Sequence, residues 1–276
     1  MLLVNFDNAG IYCFAGWQKL QSVNGQVVLV TGASSGIGAA CARVCAKNGA
    51  KVILNARRKE RLEALAVELK QKFSSSSFIL PFDVSNLDQA RTAIESIPGE
   101  WDAIDVLINN AGLARGLDKL HEGRIEDWEE MINSNVKGLL YITRLVVPGM
   151  VKRGRGHVVN IASIAGMQTY PHGAVYCASK AAVRVLSDGL RQDLLGTPIR
   201  VTTISPGLVE TEFAQVRFRG DRERAAQTYR GMTPLSADDV ADAVFYVLSR
   251  PSHVNVSEIV LFPTDQASAT LVNRPK

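Results

Sequence analysis

The chain has 276 residues, 46% of them hydrophobic, which is enough to bury one large core and near the upper size that a single core serves. Charged residues make up 21% and the formal balance is +4, without the concentrated Lys/Arg runs that nucleic-acid binding requires, so a small anionic ligand suits the chain better than a nucleic acid. The four cysteines, Cys13, Cys41, Cys45 and Cys177, show neither CxxC pairing nor metal-ligand spacing; no metal site is expected, and buried reduced thiols of a cytoplasmic protein are.

The stretch from Met1 to Leu20 is apolar in part, but Asn5, Asp7 and Asn8 interrupt it and it has no basic start. No signal peptide or membrane span is expected there, and residues 1–24 read as a loose N-terminal extension ahead of one domain over 25–276. From Gln26 onward, short apolar runs alternate with longer amphipathic stretches, the pattern of repeated βα units. Val27-Val28-Leu29-Val30 reads as a central strand covered on both faces. A glycine-rich turn follows, then a helix from about Gly36 to Asn48, stopped by Gly49. Val52-Ile53-Leu54 gives a second strand, Glu60 to Lys72 a charged helix, Ser74 to Ser77 a loop and Phe78-Ile79-Leu80 a third strand. Ser85 is expected to cap the next helix, with Asp88 completing a box-like pattern. Three more strands are predicted at 106–108, 157–161 and 200–204, separated by long helices near 125–150 and 174–195. Residues 208–235 lack a clear period and are expected to form a mobile segment over a site. A helix over 237–249 and a strand over 258–262 close a doubly wound, Rossmann-type α/β fold: a seven-stranded parallel sheet with helices on both faces.

The turn Thr31-Gly32-Ala33-Ser34-Ser35-Gly36-Ile37-Gly38 lies between a strand and a helix, where backbone N–H groups and the helix dipole bind phosphate. Its Gly-x-x-x-Gly-x-Gly spacing differs from the commoner Gly-x-Gly-x-x-Gly, so alone it also fits a tight turn with no ligand. At the end of the second strand an acidic residue would accept from a free ribose 2′-hydroxyl, but the chain reads Asn55-Ala56-Arg57-Arg58. An arginine grips a 2′-phosphate through paired charge-assisted hydrogen bonds, which favours NADP(H); the plain alternative is the solvated basic start of a helix.

Tyr176 and Lys180 are four apart on a predicted helix and project together. Bringing a phenol from pKa about 10 to about 7 takes roughly 4 kcal/mol. An ammonium about 5 Å away supplies roughly 3 kcal/mol at an effective dielectric near 20, and the positive ring of an oxidised nicotinamide would supply the rest. Such a pair alone marks only a helix with one aromatic and one lysine, but this one follows Ser163, itself just beyond a strand ending at Ile161, where open α/β sheets bind ligands. Ser163 is placed to hydrogen-bond a substrate oxygen. Asn135 is placed to hold a water that relays protons toward Lys180, or to bond locally within its helix.

With these residues on the page, the sequence resembles the single-domain branch of the short-chain dehydrogenase/reductase family from about residue 25 to 265. The resemblance implies that Gly32, Ser34, Ser35, Gly36, Ile37 and Gly38 form the cofactor turn, with Arg57 and Arg58 at its adenosine side. It further implies that Asp83 and Val84 meet the adenine, that Asn110, Ala111 and Gly112 belong to the motif after the fourth strand, and that Pro206, Gly207, Val209 and Thr211 hold the nicotinamide carboxamide. Asn135, Ser163, Tyr176 and Lys180 match the family's catalytic tetrad. A narrower likeness, in residues 101–117, 126–138 and above all 206–221, is to NADP-dependent 3-hydroxy acid dehydrogenases acting on serine or allo-threonine.

The expected reaction is hydride transfer between NADP(H) and a small alcohol or carbonyl, a 3-hydroxy acid such as serine, allo-threonine or 3-hydroxypropionate. Arg217 is the candidate cation for the substrate carboxylate, a solvated loop arginine being the alternative. A reductase of a neutral ketone, sugar or 3-oxoacyl thioester stays open on the same scaffold, as does a non-catalytic NADP-binding sensor. The family also implies a homo-oligomer, tetramer or dimer, with no nucleic-acid or membrane partner.

Overall fold

The computed structural model describes residues 21–274. In chain order the elements are β1 Val27–Thr31, α1 Gly36–Lys47, β2 Lys51–Ala56, α2 Lys59–Phe73, β3 Ser77–Pro81, α3 Leu87–Glu95, β4 Ile104–Asn109, α4 Ile125–Ile132, α5 Gly138–Arg153, β5 Gly156–Ile161, α6 Ala174–Asp193, β6 Ile199–Pro206, α7 Phe213–Arg217, α8 Arg222–Gln227, α9 Ala237–Leu248 and β7 Glu258–Leu261. Every strand pairing is parallel, and the sheet order is β3-β2-β1-β4-β5-β6-β7. The order reverses between β1 and β4, so the chain leaves these two strands in opposite directions and opens a crevice at their carboxyl ends.

The strands are apolar because both faces are covered. Val28, Val30, Val52, Leu54, Val106 and Ile108 point into one core with residues of α1, α2 and α9. The alternate residues Leu29, Ile53 and Leu107 point into the other with Ile142, Val146 and Met150 of α5. Period-two alternation thus survives in strands whose composition looks uniform. Cys41 and Cys45 sit inside the first core, where burial holds both thiols well above their usual range, Cys45 at about 12, so they act as small apolar fillers. Cys177 is likewise buried and unpaired, and Cys13 lies outside the described residues.

Three local expectations are corrected. Ser85 does not cap α3: Asn86 does, accepting from the Gln89 N–H at 3.0 Å, while the Ser85 hydroxyl turns back to donate to Asp83 at 2.7 Å. Both are good capping types, and the neighbouring carboxylate decides between them. Ser77 belongs to β3 rather than to the loop, because it pairs with Val52. The helix expected over 125–150 is interrupted by a π turn at Asn133–Lys137, which separates α4 from α5.

Of the expected N-terminal extension, residues 1–20 lie outside the described residues. Residues 21–24 are docked on the domain: Val23 is 2% exposed, and the Gln21 N–H donates to the Ser249 carbonyl at 2.9 Å. Buried Arg200 fastens the same corner, donating to Gln21 Oε1 and to the carbonyls of Val247, Leu248 and Arg250. Among the described residues no helix is long and apolar enough to cross a membrane.

Candidate active site

A cleft of about 700 Å³ opens at the carboxyl ends of the strands. All the candidate residues named from the sequence line it except Gly38 and Asn135, which sit directly behind its wall.

The floor is the turn after β1. Gly32 and Gly36 have φ of +67° and +53°, where a Cβ is strained. Gly38 is needed for space instead: a Cβ there would lie 2.4 Å from the Gly32 carbonyl oxygen and 2.5 Å from Asn110 Nδ2. Asn110 ties the turn to β4, donating to the Thr31 and Gly32 carbonyls at 2.9 and 3.3 Å. The Thr31 hydroxyl accepts from the N–H groups of Asn110 and Ala111, each at 3.0 Å. The turn is therefore locked by close packing and by side chain to main chain hydrogen bonds, and presents the amino end of α1 to the cleft, which is the arrangement that receives a pyrophosphate.

At the adenosine side, Arg58 donates to the Ser34 hydroxyl at 2.9 Å and the Ser35 hydroxyl at 3.0 Å. It also meets Glu212 at 3.0 Å, and Arg61 meets the other oxygen of the same carboxylate at 2.6 Å. Burial pushes the Glu212 carboxyl up, but hydrogen bonds from Arg61 and Arg58 outweigh it and hold the group below the usual range. Arg57 lies 3.5 Å from Asp83, whose second oxygen accepts from Ser85. Neither Arg61 nor Glu212 stands out in the sequence as a partner, since they are 151 positions apart.

Tyr176 and Lys180 project from the first two turns of α6 into the buried end of the cleft. The Lys180 ammonium donates to the Ile161 carbonyl at 2.9 Å, and burial lowers its pKa to about 8. Ser163 caps a short turn after β5: its hydroxyl accepts from the Ala165 N–H at 3.1 Å and faces the Pro206 carbonyl at 3.4 Å. Burial drives the Tyr176 phenol well above its usual value, Tyr170 adding to the rise, while Arg217 and a hydrogen bond with Ser163 draw it back. In this site burial outweighs the charges around the phenol. Spacing puts the lysine on the right face but ignores what burial does to both groups.

Asn135 stands on the π turn between α4 and α5. The π turn aims its side chain at the main chain of Leu113: Oδ1 accepts from the Leu113 N–H and Nδ2 donates to its carbonyl, both at 2.8 Å, and Nδ2 also reaches the Ser179 hydroxyl at 3.0 Å. Both amide hydrogens are committed, so the side chain braces the Leu113 main chain beside the site. Gly112 keeps the space between Asn135 and Lys180 open, since a Cβ there would lie 3.0 Å from Asn135 Oδ1 and 3.5 Å from Lys180 Nζ.

The segment 208–235, begun and closed by a bridge between Val209 and Leu235, carries α7 and α8. Residues 211–221 form a strap along the cleft. Phe213 packs on Tyr176 with ring centroids 5.5 Å apart. The Arg217 guanidinium lies 5.1, 5.3 and 5.7 Å from the rings of Tyr176, Phe213 and Tyr170, and donates to the Tyr170 hydroxyl at 2.6 Å. Its Nε is buried without a partner among the described residues. The strap's far end is tied by Arg115 to the Val216 carbonyl, by the Gly116 N–H to the Arg217 carbonyl at 3.0 Å, and by an Arg219–Asp127 ion pair. Tyr170 escaped the sequence reading because it lies in an irregular link between β5 and α6.

A phosphate-receiving turn at the switch point, facing a buried tyrosine and lysine, defines a dinucleotide-dependent oxidoreductase. The short chain dehydrogenase model matches residues 26–222, and the chain belongs to that family of enzymes acting on CH–OH groups. It is 49% identical over 246 residues to the NADP-dependent 3-hydroxy acid dehydrogenase YdfG of Salmonella typhi, covering 89% of this chain and 98% of that protein. It is 43% identical over 242 residues to the serine 3-dehydrogenase of Agrobacterium fabrum, covering 88% and 95%. Among solved structures, the closed form of serine dehydrogenase complexed with NADP+ superposes with a TM-score of 0.85 at 46% identity, covering 91% of this chain and 100% of that one.

Proposed function

We propose that the protein is an NADP(H)-dependent dehydrogenase of small 3-hydroxy acids such as serine, allo-threonine or 3-hydroxypropionate. The cofactor fits the residues present. Positive-φ glycines leave room at the turn, no acidic residue ends β2, and Arg58 stands over Ser34 and Ser35 ready for a 2′-phosphate. In this reading Gly32 through Gly38 hold the pyrophosphate, Arg57 and Arg58 the 2′-phosphate, and Asp83 and Val84 the adenine. Asn110 to Gly112 back the cofactor, and Pro206, Gly207, Val209 and Thr211 hold its carboxamide. When bound, NADP(H) supplies or accepts the hydride.

Ser163 fixes the substrate oxygen, and Tyr176 takes its proton during oxidation and returns it during reduction. Lys180 lies behind the phenol and holds the cofactor ribose, and Asn135 keeps the Leu113 main chain in place beside it. The observation that carries the substrate class is Arg217: a guanidinium 5.1 Å from the Tyr176 ring with a buried Nε that has no partner among the described residues. A buried donor without a partner is costly, and a substrate carboxylate satisfies it. Reduction of NADP+ and NAD+ should be followed with serine, allo-threonine, 3-hydroxypropionate and neutral alcohols. Arg217→Ala is expected to raise KM for the hydroxy acids roughly 30- to 100-fold, the worth of one charge-assisted hydrogen bond, with little change for neutral alcohols. An unchanged KM removes Arg217 from the site. The same reading places the enzyme in the cytoplasm as a homotetramer or dimer, built on the exposed Leu140, Val151 and Val185 of α5 and α6, which light scattering would test.

A further inference from the structure

The arginines at the adenosine end of the cleft are not free. Among the described residues two carboxylates line the cleft, Asp83 and Glu212. Asp83 is spent on Ser85 and Arg57, but Glu212 spans Arg58 and Arg61 with one oxygen each, at 3.0 and 2.6 Å. It therefore occupies Arg58 Nη1, a donor that a phosphate monoester would use, and three guanidiniums against two carboxylates leave this corner one net positive charge rather than two. The carboxylate stands just before α7, the helix whose Phe213 and Arg217 cover Tyr176.

We propose that Glu212, held by Arg61 as well, is a specificity-determining residue that competes with the adenosine 2′-phosphate for Arg58. The inference rests on the NADP(H) reading above. A dianionic phosphate and a carboxylate cannot share the Arg58 guanidinium without repulsion, so binding 2′-phosphate turns Glu212 away from Arg58. On release the carboxylate returns to Arg58. Glu212 thus lowers affinity for the phosphorylated cofactor and speeds its exit, while a cofactor with a free 2′-hydroxyl meets no such competitor.

The test is the binding of NADPH and NADH to the full chain, by cofactor fluorescence, with NADPH release timed by stopped-flow chase, in wild type, Glu212→Gln and Glu212→Asp. Glu212→Gln should tighten NADPH binding roughly three- to tenfold and slow its release in proportion, with NADH unchanged within about twofold. Glu212→Asp, which keeps the charge on a shorter arm, should fall between. NADPH binding that is unchanged or weaker in Glu212→Gln overturns the proposal. The cofactor reading is separable: if wild type binds NADPH no more tightly than NADH, that reading fails and this one with it, whereas a wild-type preference with no tightening in Glu212→Gln refutes Glu212 alone. Competition by 2′-AMP against 5′-AMP gives the same readout without the nicotinamide, and only 2′-AMP should bind more tightly to Glu212→Gln.

Discussion

The glycine turn at residues 31–38 and the strap at residues 211–221 face each other across the cleft, yet opposite kinds of interaction hold them. The turn is fixed by close packing and by buried or half-buried neutral hydrogen bonds, with Gly38 against the Gly32 carbonyl and the Asn110 amide and Thr31 hydroxyl stitched to the main chain between β1 and β4. The strap carries side-chain charge at both ends, Glu212 to Arg58 and Arg61 at one and Arg219 to Asp127 at the other. Packed backbone has one low-energy arrangement, whereas half-exposed ion pairs exchange readily with competing ions. A site that must grip a pyrophosphate identically in every cycle, yet admit and release substrate, is served by that division.

The sharpest way to break the contrast is to spoil the turn. Gly38→Ala puts a methyl 2.4 Å from a carbonyl oxygen that cannot move alone, so about 3 kcal/mol of stability should be lost and cofactor affinity should fall at least about tenfold. Denaturant unfolding and fluorescence titration measure the two effects, and a stable, tightly binding variant would show that the turn has slack.

Lys180 tests the buried wall between the two regions. Its pKa is lowered from 10.5 to about 8, so the folded state pays to keep the amine charged below pH 8, and that cost is relieved as pH rises from 8 toward the unfolded value. Lys180→Met should therefore be more stable than wild type at pH 7, by up to about 3 kcal/mol. The gap should close by about pH 10.5, while activity is lost. Wild type being the more stable protein at pH 7 would mean that the Ile161 carbonyl more than repays the buried charge.

The smallest effect expected is on the strap. Raising NaCl from about 0.05 to 0.5 M should speed amide exchange in residues 212–221 by roughly threefold and leave 32–38 unchanged. Equal responses would place the strap in the same class as the turn.

How much of this was legible in the sequence follows the same division. The parallel sheet shows in runs such as 27–30 and 157–161, because double-faced burial demands continuous apolar residues. The turn shows in its glycines, and the Tyr176/Lys180 pair shows because helical geometry is local. Partnerships across the chain do not show: Glu212 and Arg58 are 154 positions apart, and nothing near either names the other. Nor does the π turn announce itself in Asn133–Lys137, although it is what aims Asn135 at Leu113. The burial around Tyr176 is hidden in the sequence for a related reason. Spacing gives the distance between two charges but not the burial around them, and burial is the largest influence on both.

The account rests on the phenol of Tyr176 carrying the proton, and Tyr176→Phe, which removes only that oxygen, tests it most directly. NADPH affinity should stay within about twofold of wild type while the single-turnover rate with a 3-hydroxy acid falls by about a thousandfold or more. Turnover within tenfold of wild type, with cofactor bound normally, would contradict it.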